Sequence, residues 1–199
     1  MRSDRITQPG FSAVSVLLML AAAVPGVHAQ ARVQPTTLIS GTLSFDARGT
    51  LGDFTGTTAN LTGAIAGGPA LEAVRGWVEA RVDSMTTDNG RRDRDMRKSL
   101  GADQYPTIRF DLDELRPSPR QGDIMVVTLV GRFTIHGVTR QETFPGTLTW
   151  SRTGIRLEAR VGMDVRAYRI GGLSKAFGLL KMQPDIVVHI DLRFEQPPR

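Results

Sequence analysis

Histidine is the residue type with the widest chemical range in this chain, and two of its three copies, His136 and His189, lie in the body of the sequence. Cysteine is absent, which excludes disulfides, thiolate metal sites and cysteine nucleophiles. The two histidines lack the spacing of metal ligands, and no nucleophile-elbow or phosphate-binding glycine motif is present. We therefore expect no catalytic residue, no metal site and no enzymatic activity.

The charge balance also argues against a polyanionic partner. The formal net charge is +5 and the sequence pI is near 10.4. However, the basic residues are scattered among acidic ones, and no basic run is interleaved with aromatic residues as in a nucleic-acid interface. We expect no nucleic-acid binding.

The N-terminal segment has the pattern of a signal peptide. Arg2 and Arg5 precede an apolar run over 11–24, which is shorter than the roughly 20 residues of a membrane-spanning helix. The segment Val27-His28-Ala29 supplies small residues where a signal peptidase cleaves. We predict a signal peptide over 1–29 and release into the periplasm. A retained membrane anchor is the alternative, which the short apolar run disfavours.

The rest of the chain consists of short segments of alternating polarity, separated by clusters of Gly, Pro, Asp or Asn. This rhythm is typical of an all-β domain. The predicted strands lie at 38–47, 54–66, 73–84, 107–117, 124–135, 138–150, 155–163 and 186–194. Pro145, which cannot donate a backbone hydrogen bond, predicts a bulge or break within 138–150.

About eight antiparallel strands can close into a barrel wide enough for one slender ligand. The first half of 124–135 is apolar on both faces, as expected where one face lines a lumen and the other is covered. We predict a single barrel domain over 38–196, preceded by a flexible segment over 30–37. A β-sandwich is the rival architecture, because alternation alone does not distinguish the two.

Two further segments stand apart from the strand pattern. A charged stretch over about 91–100, preceded by the helix-capping pair Asp88-Asn89, predicts a short solvent-facing helix. In the segment over about 170–182, Gly171-Gly172 can act as a hinge. Leu173, Phe177 and Leu180 of this segment share one helical face. Whether it is a mobile lid or a fixed plug stays open.

The alternation assigns apolar side chains to the lumen and a smaller group to its mouth. The predicted lumen residues are Phe45, Val78, Val82, Ile108, Phe110, Leu112, Val127, Leu129, Phe133, Leu157, Val161, Val188 and Ile190. The predicted lid or mouth residues are Arg166, Tyr168, Arg169, Leu173, Phe177 and Leu180. Arg166 or Arg169 could meet an anionic group of a ligand held in the lumen.

Several motifs give the chain a family resemblance. Met85-Thr86-Thr87-Asp88-Asn89, Arg92-Asp93, Tyr105-Pro106-Thr107-Ile108-Arg109-Phe110 and Phe133-Thr134-Ile135-His136-Gly137-Val138-Thr139-Arg140 occur in that order. In sequence and spacing they resemble the YceI family. The resemblance implies a lipocalin-like, eight-stranded antiparallel barrel, exported to the periplasm. It also implies binding of a polyisoprenoid or other long-chain amphiphile in the lumen, without established catalysis.

Two segments depart from the family pattern. The family usually has a His-Leu pair after the Arg-Asp of its charged helix, where this chain has Arg94-Asp95-Met96. The family segment Asn-Arg-x-Asp-Phe-Gly is replaced here by 164–169. We therefore transfer neither the role of that histidine nor the identity of the ligand's head group.

Three functions follow from these features. The first is a periplasmic carrier or scavenger of a polyisoprenoid or fatty amphiphile. The second is an accessory protein that holds an isoprenoid quinone for a membrane cytochrome partner. The third, disfavoured because no catalytic platform is visible, is an enzyme that modifies the enclosed lipid. The sequence leaves open whether the barrel forms a homodimer.

Overall fold

A computed structural model describes residues 34–171, 174–175 and 180–195 of the chain. The strands and the α-helix are β1 (Thr36–Ala47), β2 (Phe54–Thr58), β3 (Leu61–Ala66), β4 (Arg75–Arg81), α1 (Gly90–Ser99), β5 (Thr107–Pro117), β6 (Ile124–Ile135), β7 (Val138–Trp150), β8 (Gly154–Asp164), β9 (Ser174–Lys175), β10 (Leu180–Lys181) and β11 (Asp185–Glu195). Short 3-10 turns lie at Leu71–Ala73, Val82–Ser84 and Val165–Tyr168.

The main sheet closes on itself. Its strands follow the order β11-β8-β7-β6-β5-β4-β3-β1-β2, and β1 also pairs with β11. That closing ladder runs antiparallel from Leu38, opposite Phe194, to Asp46, opposite Val187. Because closure pairs the two edges that an open sheet would expose, the predicted barrel is confirmed and the sandwich is not.

β2 and β3 together form one interrupted strand of the barrel. Both keep the same register against β1, with Leu43 opposite Thr58 and Thr36 opposite Ile65. At the interruption, the amide of Asn60 donates to the side-chain oxygen of Thr58 at 3.1 Å, so the backbone there is satisfied locally. Counting this pair as one strand gives the predicted eight.

The irregularity in the sheet lies elsewhere than predicted. β7 runs unbroken through Pro145, which stands opposite Thr128 of β6 without a register shift. The predicted break at Pro145 is therefore wrong. The ladder between β7 and β8 starts only at Gly146. Pro145, which has no amide hydrogen to donate, therefore lies where β7 is not paired with β8. The register shifts are instead in β1, between Leu38 and Ser40, and in β5, between Leu112 and Glu114.

Alternation along the strands places the apolar side chains inside. On β6, Leu129, Phe133 and Ile135 are all buried, as a period of two requires. Phe133 packs against Phe110 of β5 and Phe144 of β7, with ring centroids 4.6 and 5.9 Å apart. Burial of each such ring contributes about 1.5–3 kcal/mol, so this aromatic cluster is a main source of the barrel's stability.

Helix α1 forms where the charged stretch was predicted. The side-chain oxygen of Asn89 accepts hydrogen bonds from the amides of Arg91 and Arg92, both at 3.1 Å, and so caps the first turn. Met96 and Leu100 face the barrel and border its interior. No helix among the described residues has the length and apolar character needed to cross a bilayer.

Two local predictions need correction. Val82 was assigned to a strand but lies in a 3-10 turn, where it is still buried at 1% exposure. In the predicted lid segment, Leu180 and Lys181 of β10 pair antiparallel with Lys175 and Ser174 of β9. The helical face predicted to include Leu180 is therefore wrong, since the described backbone is extended. Leu173 and Phe177 lie outside the described residues.

Candidate functional site

The barrel encloses a large cavity at the end covered by α1. Its volume is about 310 Å³, and we call it the large cavity. The described residues that line it are Leu43, Ser44, Phe45, Gly49, Thr50, Leu51, Gly52, Phe54, Met85, Arg92, Asp95, Met96, Ser99, Leu100, Ile108, Phe133, Ile135, Met163, Ile170, Lys181, Met182, Ile186 and Val188. Its rim includes Leu51, which is 83% exposed, so the large cavity borders the protein surface.

A second cavity of about 90 Å³, the small cavity, lies at the opposite end of the barrel. The described lining is apolar and comes mostly from the strands. The described residues that line it are Leu43, Leu61, Ala64, Ile65, Val74, Gly76, Trp77, Val78, Ala80, Ile108, Phe110, Leu112, Leu115, Leu129, Phe133, Phe144, Leu148, Ile155, Leu157, Ile190, Leu192 and Phe194.

Three side chains border both cavities. They are Leu43, Ile108 and Phe133. Ile108 and Phe133 belong to the predicted lumen set, whereas Leu43 does not. Leu43 has the same parity on β1 as the predicted lumen residue Phe45, so the alternation carried the signal that would have included it.

Most of the predicted lumen residues line a cavity. They are Phe45, Val78, Ile108, Phe110, Leu112, Leu129, Phe133, Leu157, Val188 and Ile190. The remaining three, Val82, Val127 and Val161, are buried but border neither cavity. Val127 and Val161 belong to the packed core of the barrel, whereas Val82 lies in the 3-10 turn after β4.

Arg92 and Lys181 are the cationic side chains among the described residues that line the large cavity. The Arg92 guanidinium carbon lies 4.3 Å from the centre of the Phe54 ring, and its Nε donates to the Thr87 hydroxyl at 3.0 Å. These two contacts hold the guanidinium over an apolar wall. Sequence reasoning missed both cations, although the Arg92-Asp93 motif pointed to the helix.

The predicted mouth residues that can be placed are engaged in other contacts. Arg166 pairs with Asp164 at 2.7 Å, and Arg169 is exposed with a φ of 57°. Tyr168 is fully buried, and its hydroxyl donates to Glu142 at 3.3 Å. Burial, with the nearby charge of Glu142, raises the pKa of Tyr168. None of the three lines either cavity.

A buried carboxylate ties α1 to the segment before it. Asp93 is 7% exposed and accepts hydrogen bonds from the Thr87 hydroxyl, the Thr87 amide and the Thr86 hydroxyl at 2.6, 2.8 and 3.0 Å. The bonds from Thr87 are the main reason that the pKa of Asp93 is lowered. This network fixes the helix that covers the large cavity.

Each of the two histidines, His136 and His189, contacts neighbouring residues of the protein. His136 Nδ1 donates to the Tyr168 carbonyl oxygen at 3.2 Å, and its ring packs edge-on against Tyr105. His189 Nε2 lies 2.7 Å from the carboxylate of Asp46. No group of three or more His, Asp or Glu residues in the described ranges has a geometry suited to a metal ion.

The chemistry available inside the barrel is therefore that of an apolar container with a polar entrance. Hydrophobic side chains cover most of the large cavity, while the charged groups Arg92, Asp95 and Lys181 belong to α1 and β10 at its end. Such a site can remove an apolar chain from water and meet a polar group at the entrance.

Solved structures share this fold. A polyisoprenoid binding domain from Saccharophagus degradans, implicated in plant cell wall breakdown, is 16% identical, with a TM-score of 0.67 over 83% of this chain and 99% of that one. BcnA from Burkholderia cenocepacia is 14% identical, with a TM-score of 0.65 over 77% and 95%. A YceI protein from Campylobacter jejuni is 16% identical, with a TM-score of 0.58 over 72% and 85%.

Sequence comparison gives the family directly. No match was found among curated proteins. The family model of the YceI-like domain matches residues 28–194, which include α1 and all of the barrel strands except the last residue of β11. The chain therefore belongs to the YceI-like domain family.

Proposed function

We propose that this protein binds the apolar tail of an isoprenoid lipid in its barrel and carries or sequesters that lipid in the periplasm. The observation that carries the proposal is the large cavity, an apolar chamber of about 310 Å³ that reaches the surface beside α1. This volume lies at the lower end of the roughly 300–1,000 Å³ typical of small-molecule sites.

The energetics favour an apolar tail. Burial of one methylene group contributes roughly 0.8 kcal/mol, so a five-carbon isoprene unit contributes about 3–4 kcal/mol before the costs of ordering. Two units are enough for retention without a strong polar contact. Binding rather than catalysis is proposed, because apolar side chains make up most of the described lining of the large cavity.

The polar entrance suits the head of an amphiphile. Arg92 and Lys181 can donate to an anionic or carbonyl-bearing head group, and such charge-assisted bonds are stronger than neutral ones. In this proposal the two residues take the role that Arg166 and Arg169 were predicted to have.

Family membership and one relative support the same ligand class. The Saccharophagus degradans domain that shares the fold is itself described as polyisoprenoid binding. The periplasmic location rests on the signal-peptide pattern over 1–29, which lies outside the described residues.

The direct test is mass spectrometry of organic extracts from protein purified without denaturation. We expect a near-stoichiometric isoprenoid lipid, and a quinone head would identify the electron-transport version of the function. Met96→Glu, which places a charge in the lining of the large cavity, should lose the lipid. Arg94→Glu, on the exposed face of the same helix, is the matched control and should retain it.

Two results together would contradict the proposal. One is the absence of any extractable lipid from the natural host. The other is failure of the purified protein to take up isoprenoid alcohols or quinones when these are supplied.

A further inference from the structure

We infer that exposed basic and apolar residues beside the large cavity form a docking surface for an anionic phospholipid bilayer. We call it the mouth surface, and it consists of Leu51, Arg91, Arg94, Lys98 and Lys181, all of which are exposed. The inference rests on the proposed function and names the partner with which the barrel exchanges its lipid. Its basis is that these residues belong to three segments that border the same cavity, namely the loop after β1, helix α1 and β10.

The loop between β1 and β2 carries the apolar residue of the mouth surface. The amide of Thr50 donates to the carbonyl oxygen of Lys181 at 2.9 Å, and the amide of Gln183 donates to that of Arg48 at 2.8 Å. These bonds hold the loop against β10. A single exposed leucine is common on protein surfaces, but Leu51 is 83% exposed and also lines the large cavity. Its side chain therefore lies where an apolar ligand must pass.

Helix α1 supplies most of the positive charge. It carries five basic and two acidic residues. Arg91, Arg94 and Lys98 are spaced three and four positions apart, so they share one helical face, and that face is exposed. Met96 and Leu100 line the large cavity instead. The helix thus presents apolar side chains to the barrel and cations to the surroundings.

The acidic residues of α1 do not accompany these cations into solvent. Asp93 is 7% exposed, and hydroxyl and amide donors of the preceding segment engage its oxygens. Asp95 is half-buried and lines the large cavity. Arg91 stands in the first turn, where the helix dipole disfavours a positive charge. The stability of the helix therefore does not account for this arginine.

The barrel wall treats its exposed arginines differently. Arg116 pairs with Glu114, and Arg132 pairs with Asp113, each at 2.8 Å, so positive charge on the wall is offset locally. Within the described part of the chain, the three α1 cations of the mouth surface form no such ion pair. Each basic residue close to an anionic membrane strengthens binding by about fivefold, and an internal ion pair would reduce that attraction.

A bilayer suits both features of the mouth surface. Anionic head groups attract the basic residues, and the acyl boundary accepts the exposed leucine. A lipid that leaves such a bilayer can enter the large cavity without exposing its apolar tail to water. An acidic protein would engage the cations, but it would not explain why they lie beside the entrance of an apolar cavity.

The test is sedimentation of the mature protein with two kinds of vesicle. One contains phosphatidylcholine alone, and the other contains phosphatidylcholine with roughly one third phosphatidylglycerol. We expect binding to the anionic vesicles only. Binding should weaken at least about tenfold when the ionic strength rises from about 0.1 to 1 M, because the screening length then falls from about 10 to 3 Å.

The double change Arg94→Glu with Lys98→Glu, the mouth variant, should weaken binding to anionic vesicles at least about tenfold. Its matched control is Arg152→Glu with Arg193→Glu, which changes the net charge equally at two other exposed positions. Arg152 lies in the turn between β7 and β8, and Arg193 lies near the end of β11. Both are remote in the fold from α1, so the control should bind within about twofold of wild type.

Leu51→Trp tests the apolar contact directly. Because Leu51 is 83% exposed, the larger ring has room and the fold should be kept. We expect its fluorescence, corrected for Trp77 and Trp150 with the wild-type protein, to shift to shorter wavelength on addition of anionic vesicles. An unchanged spectrum while the protein is bound would show that this loop does not reach the bilayer, and would overturn the inference.

Three further results would overturn it. They are no binding to anionic vesicles, equal binding to neutral vesicles, and equal losses in the mouth variant and its control. A change of oligomeric state in the mouth variant, measured by light scattering, would overturn it as well, because the surface would then be covered by a second copy of the chain.

The affinity for farnesol in solution separates this inference from the proposed function. The mouth variant should bind farnesol as tightly as wild type, since neither Arg94 nor Lys98 lines the large cavity. Farnesol binding by a wild-type protein that ignores vesicles would refute the docking surface alone. Vesicle binding by a wild-type protein that takes up no farnesol would refute the proposed function, and with it the exchange of lipid at this surface.

Discussion

The carboxylate of Asp93 and the hydroxyl of Thr87 lie 2.6 Å apart, in a hydrogen bond that joins the first turn of α1 to the segment that precedes it. Both residues are buried. Thr87 also accepts a hydrogen bond from Arg92, which lines the large cavity. The same threonine therefore supports both the position of the helix and that of the cation at the entrance.

We expect Asp93→Ala to lower the free energy of unfolding by about 2–3 kcal/mol. The change removes hydrogen bonds to a charged acceptor, each worth roughly 1.5–3 kcal/mol, and leaves the Thr87 amide without its partner. Urea denaturation measures the effect. Asp103→Ala is the control, since Asp103 is exposed, and it should change stability by less than about 0.5 kcal/mol.

The lowered pKa of Asp93 predicts a pH dependence. Its ordinary value is 3.8 and its folded value is lower, so the ionised carboxylate stabilises the folded state. That contribution is fully present above the unfolded pKa and is lost as the pH falls through the folded pKa. The stability difference between wild type and Asp93→Asn should thus be constant from neutral pH to about pH 5 and shrink below 3.8. A difference that grows on acidification would contradict the assignment.

Two glycines should respond oppositely to alanine. Gly137 has a φ of 71°, and an added Cβ would lie 2.5 Å from the Tyr105 ring, so Gly137→Ala should cost at least 1–2 kcal/mol. Gly162 has no atom within 4 Å of an added Cβ. Gly162→Ala should therefore be neutral or stabilise by up to about 1 kcal/mol. Thermal unfolding of the two variants checks the contrast, and equal melting temperatures would contradict it.

The buried Tyr168 hydroxyl should contribute through Glu142. Tyr168→Phe removes their hydrogen bond and should cost about 1 kcal/mol. A double-mutant cycle with Glu142→Ala should return a coupling of similar size. Tyr105→Phe is the control, since the Tyr105 hydroxyl makes no hydrogen bond with the described residues, and it should be close to neutral. A coupling of zero would mean that Tyr168 contributes by packing alone.

The architecture was predictable because burial in a barrel is periodic. The strand from Ile124 to Ile135 and its neighbour from Val138 to Trp150 were predicted with the bounds that the structure shows. In the first, Val127, Leu129, Phe133 and Ile135 share one parity, as do Phe144, Leu148 and Trp150 in the second, and the number of such segments predicted eight strands. The family motifs indicated a closed barrel, which alternation alone did not distinguish from a sandwich.

The site was harder to predict, because alternation gives the face of a side chain but not its depth in the barrel. Val127 and Leu129 share the inner face of β6, yet only Leu129 borders a cavity. The position of a cavity depends on which side chains meet across the lumen. Those contacts can be identified only once the pairing of all strands in the closed sheet is known. The backbone at Leu180 was mispredicted for a similar reason, since its pairing with Lys175 has no local signal.

The pairing of β1 with β11 has a consequence for how the molecule forms. The hydroxyl of Thr36 donates to the carbonyl oxygen of Glu195 at 2.7 Å, so the two extremes of the domain are neighbours in space. A nascent chain lacks the strand that completes the ring until β11 has been made. Closure of the barrel must therefore wait until β11 is available. It should be slow, because the entropy cost of closing a loop over the whole domain comes before the β1–β11 contacts that stabilise the closed barrel.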